Sequence, residues 1–348
     1  MSGTSLDGLD VVYCSFTELD EDWSFKILNA TTIQYDNSIK TRLQSSTKIQ
    51  GFELSLLDTD FGKLLAKEVI DLIKQWGAEP QFIASHGHTV FHQPDKGFTL
   101  QIGNPHFLHE ETGVPIIYDF RSQDVVLGGQ GAPLVPVGDH YLFNEYDYCL
   151  NLGGIANVSY TRKGERLAFD IVPCNIPLNS LAQKIGHEYD ANGAIASKGK
   201  IDENLFEKLN SLSYYRLGGA KSLGIEWVQK NIFPLLDKSG IEIEDLLATM
   251  TEHTAYQIAK AIEGGSVLVT GGGAYNEYLI DRIKFNIDAR ADLILPSNEL
   301  INFKEALIFA FLGILRLKGR VNCLKSVTGA ISDSCSGSVI GELQNLVG

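Results

Sequence analysis

The chain has 348 residues, 44% of them hydrophobic and 21% charged, so it can bury a large core and is predicted to fold as two lobes. A formal net charge of −14 makes nucleic acid and anionic membranes poor candidates as partners, and no apolar run approaches the ~20 residues that span a bilayer. The five cysteines show no CxxC spacing, which favours a reducing, cytoplasmic compartment over a disulfide framework or a zinc site.

Short apolar strands alternate with amphipathic helices, which predicts an α/β fold. In the first half we predict a strand at 11–16, a helix around 61–73, a strand at 82–85, a helix from 104–105 to Gly113, and a strand at 115–118. In the second half we predict strands at 146–152 and 167–169, a helix around 243–258, a strand at 266–270, a helix at 277–287, a strand at 291–295, and an apolar helix at 303–317. The expected lobes are 1–135, completed by the tail 321–348, and 136–320.

Three glycine turns follow or flank these strands, at 1–8, 150–157 and 268–274. Glycine lets backbone N–H groups surround a polyanion, so turns far apart in sequence can converge on one phosphate chain. The candidate phosphate-binding residues are Gly3, Thr4, Ser5, Asp7, Gly8, Gly153, Gly154, Asn157, Gly271, Gly272, Gly273 and Ala274. Asp7 could also face a hydrated Mg²⁺. Considered alone, the first turn also fits a tight hairpin, and the triple glycine also fits an ordinary strand-to-helix turn.

Seven motifs in a fixed order resemble the anhydro-N-acetylmuramic acid kinase family over nearly the whole chain. They are Met-Ser-Gly-Thr-Ser-Leu-Asp-Gly at 1–8, Ser-His-Gly-His-Thr-Val at 85–90, Thr-Leu-Gln-Ile-Gly-Asn-Pro at 99–105, Asp-Phe-Arg-Ser-Gln-Asp at 119–124, Gly-Gly-Gln-Gly-Ala-Pro-Leu-Val-Pro at 128–136, Asn-Leu-Gly-Gly-Ile-Ala-Asn at 151–157 and Thr-Gly-Gly-Gly-Ala-Tyr-Asn at 270–276.

The resemblance implies a two-lobed, actin-like (ribonuclease H-like) ATPase fold, with ATP and Mg²⁺ in the cleft between the lobes. It also implies that 1,6-anhydro-N-acetylmuramic acid, a cell-wall recycling intermediate, is hydrated and phosphorylated on O6 to N-acetylmuramic acid 6-phosphate. A homodimer is a further expectation.

Asp170 matches the family's catalytic aspartate by position, after a predicted strand. Water that attacks the anomeric carbon must lose a proton, and a positioned carboxylate can accept it. Without the resemblance, an Asx turn or an N-cap for a helix near Leu178 would be the simpler interpretation. The family continues with Thr-Gly-Pro-Gly-Asn, whereas this chain has Ile-Val-Pro-Cys-Asn at 171–175, which we expect to restrict this loop. We expect Cys174 to be an inert small side chain.

The expected substrate-binding residues are His86, Thr89, Arg121 and Glu305. The planar guanidinium of Arg121 suits the lactyl carboxylate of the sugar, although an ion pair with Asp119 or Asp124 is an alternative. Glu305 lines up with a family glutamate that faces the sugar. Its alternative is a solvated glutamate in the first turn of the apolar helix, favoured by the helix dipole.

Several alternatives remain open from the sequence. The histidines at 86, 88, 92, 106 and 109 could form a zinc site, and His88 stands where the family generally has glutamine. The altered 171–175 segment leaves open a nucleotide-binding protein without sugar-kinase activity, or a kinase for a related sugar. Family members carry a short apolar strand before the first turn, so we expect either a start upstream of Met1 or a first lobe that lacks this strand.

Overall fold

A computed structural model describes residues 1–3, 6, 8–20, 22–219 and 221–342. The chain divides into two compact units: unit 1 is Met1–Leu142 together with the chain from Phe303 onward, and unit 2 is Phe143–Asn302. Both contain helices and strands, which confirms the α/β class. The unit boundaries lie at 142/143 and 302/303, whereas the sequence placed them at 135/136 and 320/321.

The apolar C-terminal helix accounts for this difference. A Cβ at Gly313 would lie 2.7 Å from the ring of Phe82, and the ring of Phe311 packs edge-on against Trp23 at 5.0 Å. The helix is therefore part of the core of unit 1, which a pattern along the chain does not reveal.

Among the described residues, unit 1 contains seven strands and six helices, and a further helix begins in unit 2 and continues into unit 1. The strands are β1 (Leu9–Leu19), β2 (Asp22–Ile33), β3 (Ile83–Ser85), β4 (His88–Gln93), β5 (Phe98–Ile102), β6 (Ile116–Tyr118) and β12 (Ser338–Ile340) among the described residues. The helices are α1 (Asn37–Ser45), α2 (Gly51–Trp76), α3 (Pro105–Thr112), α4 (Ser122–Val126), α5 (Val135–Leu142) and α13 (Lys325–Thr328), and the shared helix is α12 (Asn298–Leu317).

The strands of unit 1 form three small sheets, β1-β2, β12-β6-β3 and β4-β5. The long helix α2 buries Leu57, Phe61 and Leu65 in a core that also includes Leu108 of α3 and Ile116 of β6. Helix α3 begins and ends as its sequence predicts. The side chain of Asn104 caps it by accepting the His106 N–H at 3.1 Å, and Gly113 ends it with a left-handed φ of 67°.

Unit 2 is built on one sheet of five strands, in the order β11-β10-β7-β8-β9. These are β7 (Tyr148–Leu152), β8 (Ile155–Arg162), β9 (Glu165–Pro173), β10 (Gly265–Thr270) and β11 (Ala291–Ile294), and the helices are α6 (Asn175–Gln183), α7 (Glu203–Asn210), α8 (Ile225–Asn231), α9 (Phe233–Asp237), α10 (Ile243–Ala261) and α11 (Glu277–Ile287). Strands β11, β10 and β7 are parallel, while β7-β8 and β8-β9 are antiparallel. Apolar residues of β7 to β10 pack against α10 and α11 in a fully buried core.

The strands and helices that the sequence predicted are all present, with ends that differ by a few residues. Strands β2, β4, β5 and β12 are among those that were not predicted, and of the helices with ten residues or fewer only α3 was predicted. In the described part of the chain, none of the helices has the length and apolar character that crossing a membrane requires.

Candidate functional site

A row of four polar residues crosses the sheet of unit 2. Thr270 on β10 pairs with Asn151 on β7, Asn151 with Asn157 on β8, and Asn157 with Asp170 on β9. Residues directly opposite each other on neighbouring strands project on the same face of a sheet. Four residues from distant segments therefore form one polar strip across four strands of the sheet.

Asp170 is held from three directions. Its backbone N–H donates to the carbonyl of Lys221 at 3.0 Å, and its backbone carbonyl accepts the Tyr214 hydroxyl at 2.5 Å. Its carboxylate oxygen Oδ2 accepts the N–H of Leu223 at 2.8 Å. The other carboxylate oxygen has no hydrogen bond to any described residue, which leaves it able to accept a proton.

The electrostatics of Asp170 suit a base. Burial raises the pKa of its carboxyl above the usual aspartate value, and the Leu223 N–H partly offsets this. A carboxylate with a raised pKa is a stronger proton acceptor. The sequence placed Asp170 in a loop after a strand, which is wrong: it lies inside the nine-residue strand β9.

The altered segment 171–175 is also not a free loop. Ile171, Val172 and Cys174 are buried in the core of unit 2, and β9 continues to Pro173 before α6 starts at Asn175. Their side chains therefore fill the core. Burial raises the pKa of the Cys174 thiol to about 12, which confirms an inert side chain.

The glycine turns of unit 2 form a tight cradle. Gly153 and Gly154 follow β7 and Gly271 follows β10, at the same edge of the sheet because these strands are parallel. A Cβ at Gly271 would lie 2.5 Å from Asn151 Oδ1, and one at Gly273 would lie 2.7 Å from Leu152 Cβ. Only glycine fits such approaches, and the φ of 84° at Gly271 adds a second requirement.

The remaining two residues of the triple-glycine motif complete this turn. Gly272 and Ala274 lie in a short helical turn in which the Ala274 N–H donates to the Gly271 carbonyl at 2.9 Å. The first N–H groups of α6 are already used, because those of Asn175 and Ile176 donate to the carbonyls of Gly153 and Gly154. Phosphate oxygens would therefore have to be bound by the glycine turns themselves.

The first glycine turn lies in unit 1. Ser2 and Leu9 form an antiparallel bridge, as a hairpin would, and a Cβ at Gly8 would lie 2.5 Å from the carbonyl oxygen of Ile33. The carbonyl of Gly3 accepts the N–H of Leu6 at 3.3 Å. The predicted phosphate ligands Thr4, Ser5 and Asp7 lie outside the described residues.

His86 and Arg121 form the centre of a second polar cluster, in unit 1. Both Nε and Nη2 of Arg121 donate to His86 Nε2, at 3.0 and 2.9 Å, while His86 Nδ1 donates to the carbonyl of Gly87 at 3.0 Å. Burial, and then the Arg121 charge, keep the pKa of His86 well below its usual value, so the imidazole is neutral. The ring of Phe309 packs against His86 at 4.7 Å and supports both groups.

The ion-pair alternative for Arg121 is wrong among the described residues. Its Nη1 donates to the carbonyl of Gly131 at 2.7 Å, while Asp119 accepts the Ser122 N–H and Asp124 accepts the Thr328 hydroxyl and the Gly131 N–H. Three of the five guanidinium N–H groups are thus fixed on neutral acceptors. Two remain for an anionic ligand.

Glu305 lies on the eighth residue of α12, because the helix begins at Asn298 and not near Phe303. A first-turn role with the helix dipole is therefore wrong. Its side chain is accessible but crowded by protein, and this desolvation raises the pKa of its carboxyl, with Arg121 opposing and Asp10 adding to the effect. Its neighbour Lys304 forms a buried ion pair with Asp139 at 2.7 Å.

A cavity of about 330 Å³ opens beside His86 in unit 1. Its wall includes Asn104 at the start of α3, Gln101 of β5 and Asp119. Thr89, the fourth expected substrate residue, lies on β4 and accepts Gln101 Nε2 at 3.2 Å, so it is linked to the wall through Gln101. Carboxylate, amide and imidazole groups around a cavity of this size suit a polyhydroxylated ligand.

The rings of His92 and His109 bond to nearby groups, Thr99 Oγ1 and the Val114 carbonyl. His88 is buried, bonded to Ser2 Oγ at 3.0 Å, and burial lowers its pKa to about 4. Across the described residues, no group of three or more His, Cys, Asp or Glu side chains is placed to hold a metal ion.

Comparisons with known proteins agree with this geometry. A family model described as anhydro-N-acetylmuramic acid kinase matches residues 1–342. The chain belongs to this family. An anhydro-N-acetylmuramic acid kinase from Shewanella woodyi is 35% identical, with 97% of this chain and 96% of that protein covered, and one from Acinetobacter baylyi is 33% identical, with 97% of each covered.

Among solved structures, a ROK family glucokinase from Streptomyces griseus, in complex with glucose and AMPPNP, is 10% identical and covers 82% of this chain and 94% of its own. Its TM-score of 0.34 is too low to support a conclusion about fold or function.

The family motifs did not predict which residues hold the candidate site residues in place. Thr270 is the last residue of β10 and Asn151 the penultimate residue of β7, and each lies within two residues of a glycine turn, a signal that marks them as candidate site residues once both strands are known to be adjacent. Tyr214, Lys221 and Leu223, which fix Asp170, follow no motif and could not have been found from the sequence.

Proposed function

We propose that this protein is a cytoplasmic, ATP- and Mg²⁺-dependent kinase that opens 1,6-anhydro-N-acetylmuramic acid with water and phosphorylates its O6. The observation that carries the proposal is Asp170: a partly buried carboxylate with a raised pKa, one oxygen anchored and the other free to accept a proton. Membership of the kinase family supplies the substrate class.

Asp170 takes the proton from water as the water oxygen bonds to the anomeric carbon. The bond between that carbon and O6 breaks and its electron pair stays on O6. O6 attacks the γ-phosphorus of ATP as the bond from that phosphorus to the bridging oxygen of ADP breaks, and Asp170 then releases its proton to solvent. The products are N-acetylmuramic acid 6-phosphate and ADP. The carboxylate that starts this sequence contributes on the order of 10²–10⁴-fold to the rate.

The glycine cradle of unit 2 is assigned to the phosphates of ATP. Gly153, Gly154 and the 271–273 turn bring unhindered backbone together for polyanion binding, and the two turns pack so closely that a Cβ at Gly271 or Gly273 would clash with Asn151 or Leu152. Gly3, Gly8 and their neighbours are assigned to the phosphates as well, and Asp7 to the Mg²⁺ that neutralises them.

The polar cluster around His86 and Arg121 in unit 1 is assigned to binding of the sugar. The two uncommitted N–H groups of Arg121 suit the lactyl carboxylate, and its other three are locked, so the guanidinium is already oriented before the ligand binds. Glu305, with a carboxyl pKa raised by desolvation, accepts hydrogen bonds from sugar hydroxyls. Thr89 accepts a hydrogen bond from Gln101 and so helps to hold this part of the cavity wall.

The direct test incubates the full chain with Mg·ATP and 1,6-anhydro-N-acetylmuramic acid and looks for the 6-phosphate by mass spectrometry. One oxygen from ¹⁸O-labelled water in the product identifies the hydrolytic step. ATP binding by calorimetry without any product from saturating sugar would refute the proposal and favour a nucleotide-binding protein without the kinase activity. Product only from a different anhydro or free amino sugar would instead identify a kinase for a related sugar.

A further inference from the structure

A segment that lies outside the seven family motifs contacts Asp170 at three points in unit 2. It spans residues 213–223, between α7 and α8, and all of it except residue 220 belongs to the described part of the chain. We call it the 213–223 clamp. The Tyr214 hydroxyl and the Leu223 N–H donate to Asp170, and the Lys221 carbonyl accepts the Asp170 N–H. Both ends of the clamp therefore depend on one another to hold the same residue.

The middle of the clamp has little rigidity of its own. After the helical turn Ser213–Arg216 come two consecutive glycines, Gly218 and Gly219, and a Cβ at either would meet open space. Glycines lose more conformational freedom on ordering than other residues. A further interaction is therefore needed to keep the two ends of the clamp together.

The ammonium group of Lys221 supplies this interaction. Its Nζ donates to the carbonyls of Leu217 and Tyr214, at 3.1 and 3.4 Å, at the end of the helical turn, where a lysine side chain commonly binds unpaired carbonyls. The same Nζ lies 4.6 Å from the centroid of the Tyr214 ring and 5.6 Å from that of Phe169, the neighbour of Asp170 on β9. One side chain thus joins the two ends of the clamp to each other and to β9.

Lys221 influences Asp170 through the shape of the clamp rather than through its charge. Burial raises the pKa of the Asp170 carboxyl and the Leu223 N–H lowers it, with no contribution from the Lys221 charge. The ammonium of Lys221 bonds instead to carbonyls of the clamp itself. Its effect on the carboxylate is therefore one of position.

The helical turn is also fixed on its other side. The Tyr215 hydroxyl donates to His253 Nε2 at 3.0 Å, and His253 Nδ1 donates to Asn210 Oδ1 at 2.9 Å. Burial lowers the pKa of His253 to about 3, so the ring is neutral and carries its one proton on Nδ1. The turn is thus anchored on α10 and α7, and the glycine-containing half is the part that Lys221 holds.

We propose that Lys221 and Tyr214 are positioning residues for Asp170. Lys221 closes the clamp on its own carbonyls, so that the Tyr214 hydroxyl, the Lys221 carbonyl and the Leu223 N–H all meet Asp170 at once. The inference rests on the proposed function, because it takes Asp170 as the base.

Lys221→Met removes the ammonium and keeps an unbranched side chain. We expect kcat to fall at least about tenfold with little change in the KM for ATP or for the sugar, since a displacement of about 1 Å can cost ~100-fold in rate. Lys221→Arg keeps a cation with N–H donors that binds aromatic faces, so it should restore most of kcat. The matched control is Lys260→Met, which removes a cation 5.5 Å from the Tyr256 ring on α10 and should leave kcat unchanged.

Tyr214→Phe covers the case in which Lys221→Met does not fold, because it removes one hydroxyl and keeps the ring. It should lower kcat by about fivefold or more, as expected for the loss of one hydrogen bond. Its control is Tyr148→Phe, at a buried tyrosine of unit 2 whose hydroxyl accepts the Glu263 N–H at 3.3 Å, and this variant should keep its kcat.

Both test variants are then combined with Asp170→Asn. A residue that acts through the carboxylate has nothing left to position, so each double variant should have the kcat of Asp170→Asn within about threefold. A loss of kcat by the same factor with and without the Asp170 carboxylate would indicate a general structural role and overturn the proposal.

Amide hydrogen exchange, measured by NMR, gives a readout that does not need kinase activity. The N–H groups of Asp170 and Leu223 should exchange at least about fivefold faster in Lys221→Met and in Tyr214→Phe than in the parent or the two controls. Unchanged exchange at both groups would overturn the inference even if kcat falls. Absence of kinase product from the parent refutes the proposed function instead, and the exchange rates still decide whether Lys221 positions Asp170.

Discussion

Asp170→Asn removes the base and leaves its surroundings intact. Two of the three hydrogen bonds that hold Asp170 involve its backbone, and the amide oxygen of asparagine can still accept the Leu223 N–H that now lies 2.8 Å from Oδ2. The variant should therefore fold normally. What it loses is a proton acceptor at the free carboxylate oxygen.

We expect kcat to fall by about 10²–10⁴-fold, which corresponds to ~3–5.5 kcal/mol of barrier. The pH dependence of the activity provides a second test. Because burial raises the pKa of Asp170, the parent enzyme should lose activity as the pH falls through that raised value, above the usual aspartate range. The residual activity of the variant should not show this loss as the pH falls.

The sign of the stability effect is also fixed by the raised pKa. A carboxyl whose folded pKa exceeds its unfolded pKa binds its proton more tightly in the folded state, so its contribution to stability is lost as the pH rises through the folded value. Above the folded pKa, the ionised carboxylate destabilises the fold. Asp170→Asn should leave the Tm unchanged or raise it.

The matched control is Asp190→Asn, also in unit 2. The buried Asp190 carboxylate accepts the N–H groups of Ile195 and Ala196 at 2.8 and 2.9 Å, one on each oxygen, and an amide can accept only one of them. This variant should lose Tm and keep its kcat. Coupled-enzyme ADP release and thermal denaturation separate the two, and an Asp170→Asn protein within about tenfold of the parent kcat would refute the assignment of the base.

Three further changes test the rest of the site. Arg121→Lys removes the fork on His86 and Gly131, so we expect the KM for the sugar to rise about 10–100-fold with a smaller change in kcat, measured by steady-state kinetics. Gly271→Ala combines a φ of 84° with a clash in the cradle, and calorimetry should show ATP affinity reduced by about tenfold or more. Lys304→Met leaves the buried Asp139 carboxylate without its ion pair and should cost about 3–5 kcal/mol in the free energy of unfolding, measured with urea.

Each change has a control on the same chain. Arg42→Lys alters an exposed ion pair with Asp60 and should leave the sugar KM unchanged. Gly240→Ala has a φ of 68° but open space around its Cβ, so it should affect stability without affecting ATP affinity. Lys184→Met breaks an exposed pair and should cost less than about 1 kcal/mol. A control that matches its test variant would count against the corresponding assignment.

Local chemistry made much of the fold predictable. The α/β alternation and the ends of α3 follow from residue type alone, because Asn104, Pro105 and Gly113 act through their own backbone geometry. The β4-β5 hairpin was not predicted, since its strands are stabilised mainly by partners across the sheet.

The candidate site shows the same division. The family motifs predicted His86 and Arg121 and the position along the chain predicted Asp170, but Asp170 was placed in a loop and Glu305 in a first helical turn. Both errors concern where an element ends, which depends on tertiary packing as well as on local propensity.

The sequence by itself determined the composition of the site: glycines where the backbone must approach closely, and a carboxylate, an imidazole and a guanidinium in motifs of one family. Only the tertiary structure determined which of these groups lie close together. The register of four strands aligns Asp170 with Asn157, and the fold brings His86, near the end of β3, within hydrogen-bond distance of Arg121, just beyond β6. Strand register and long-range contacts arise from pairing between distant segments, so no local pattern encodes them.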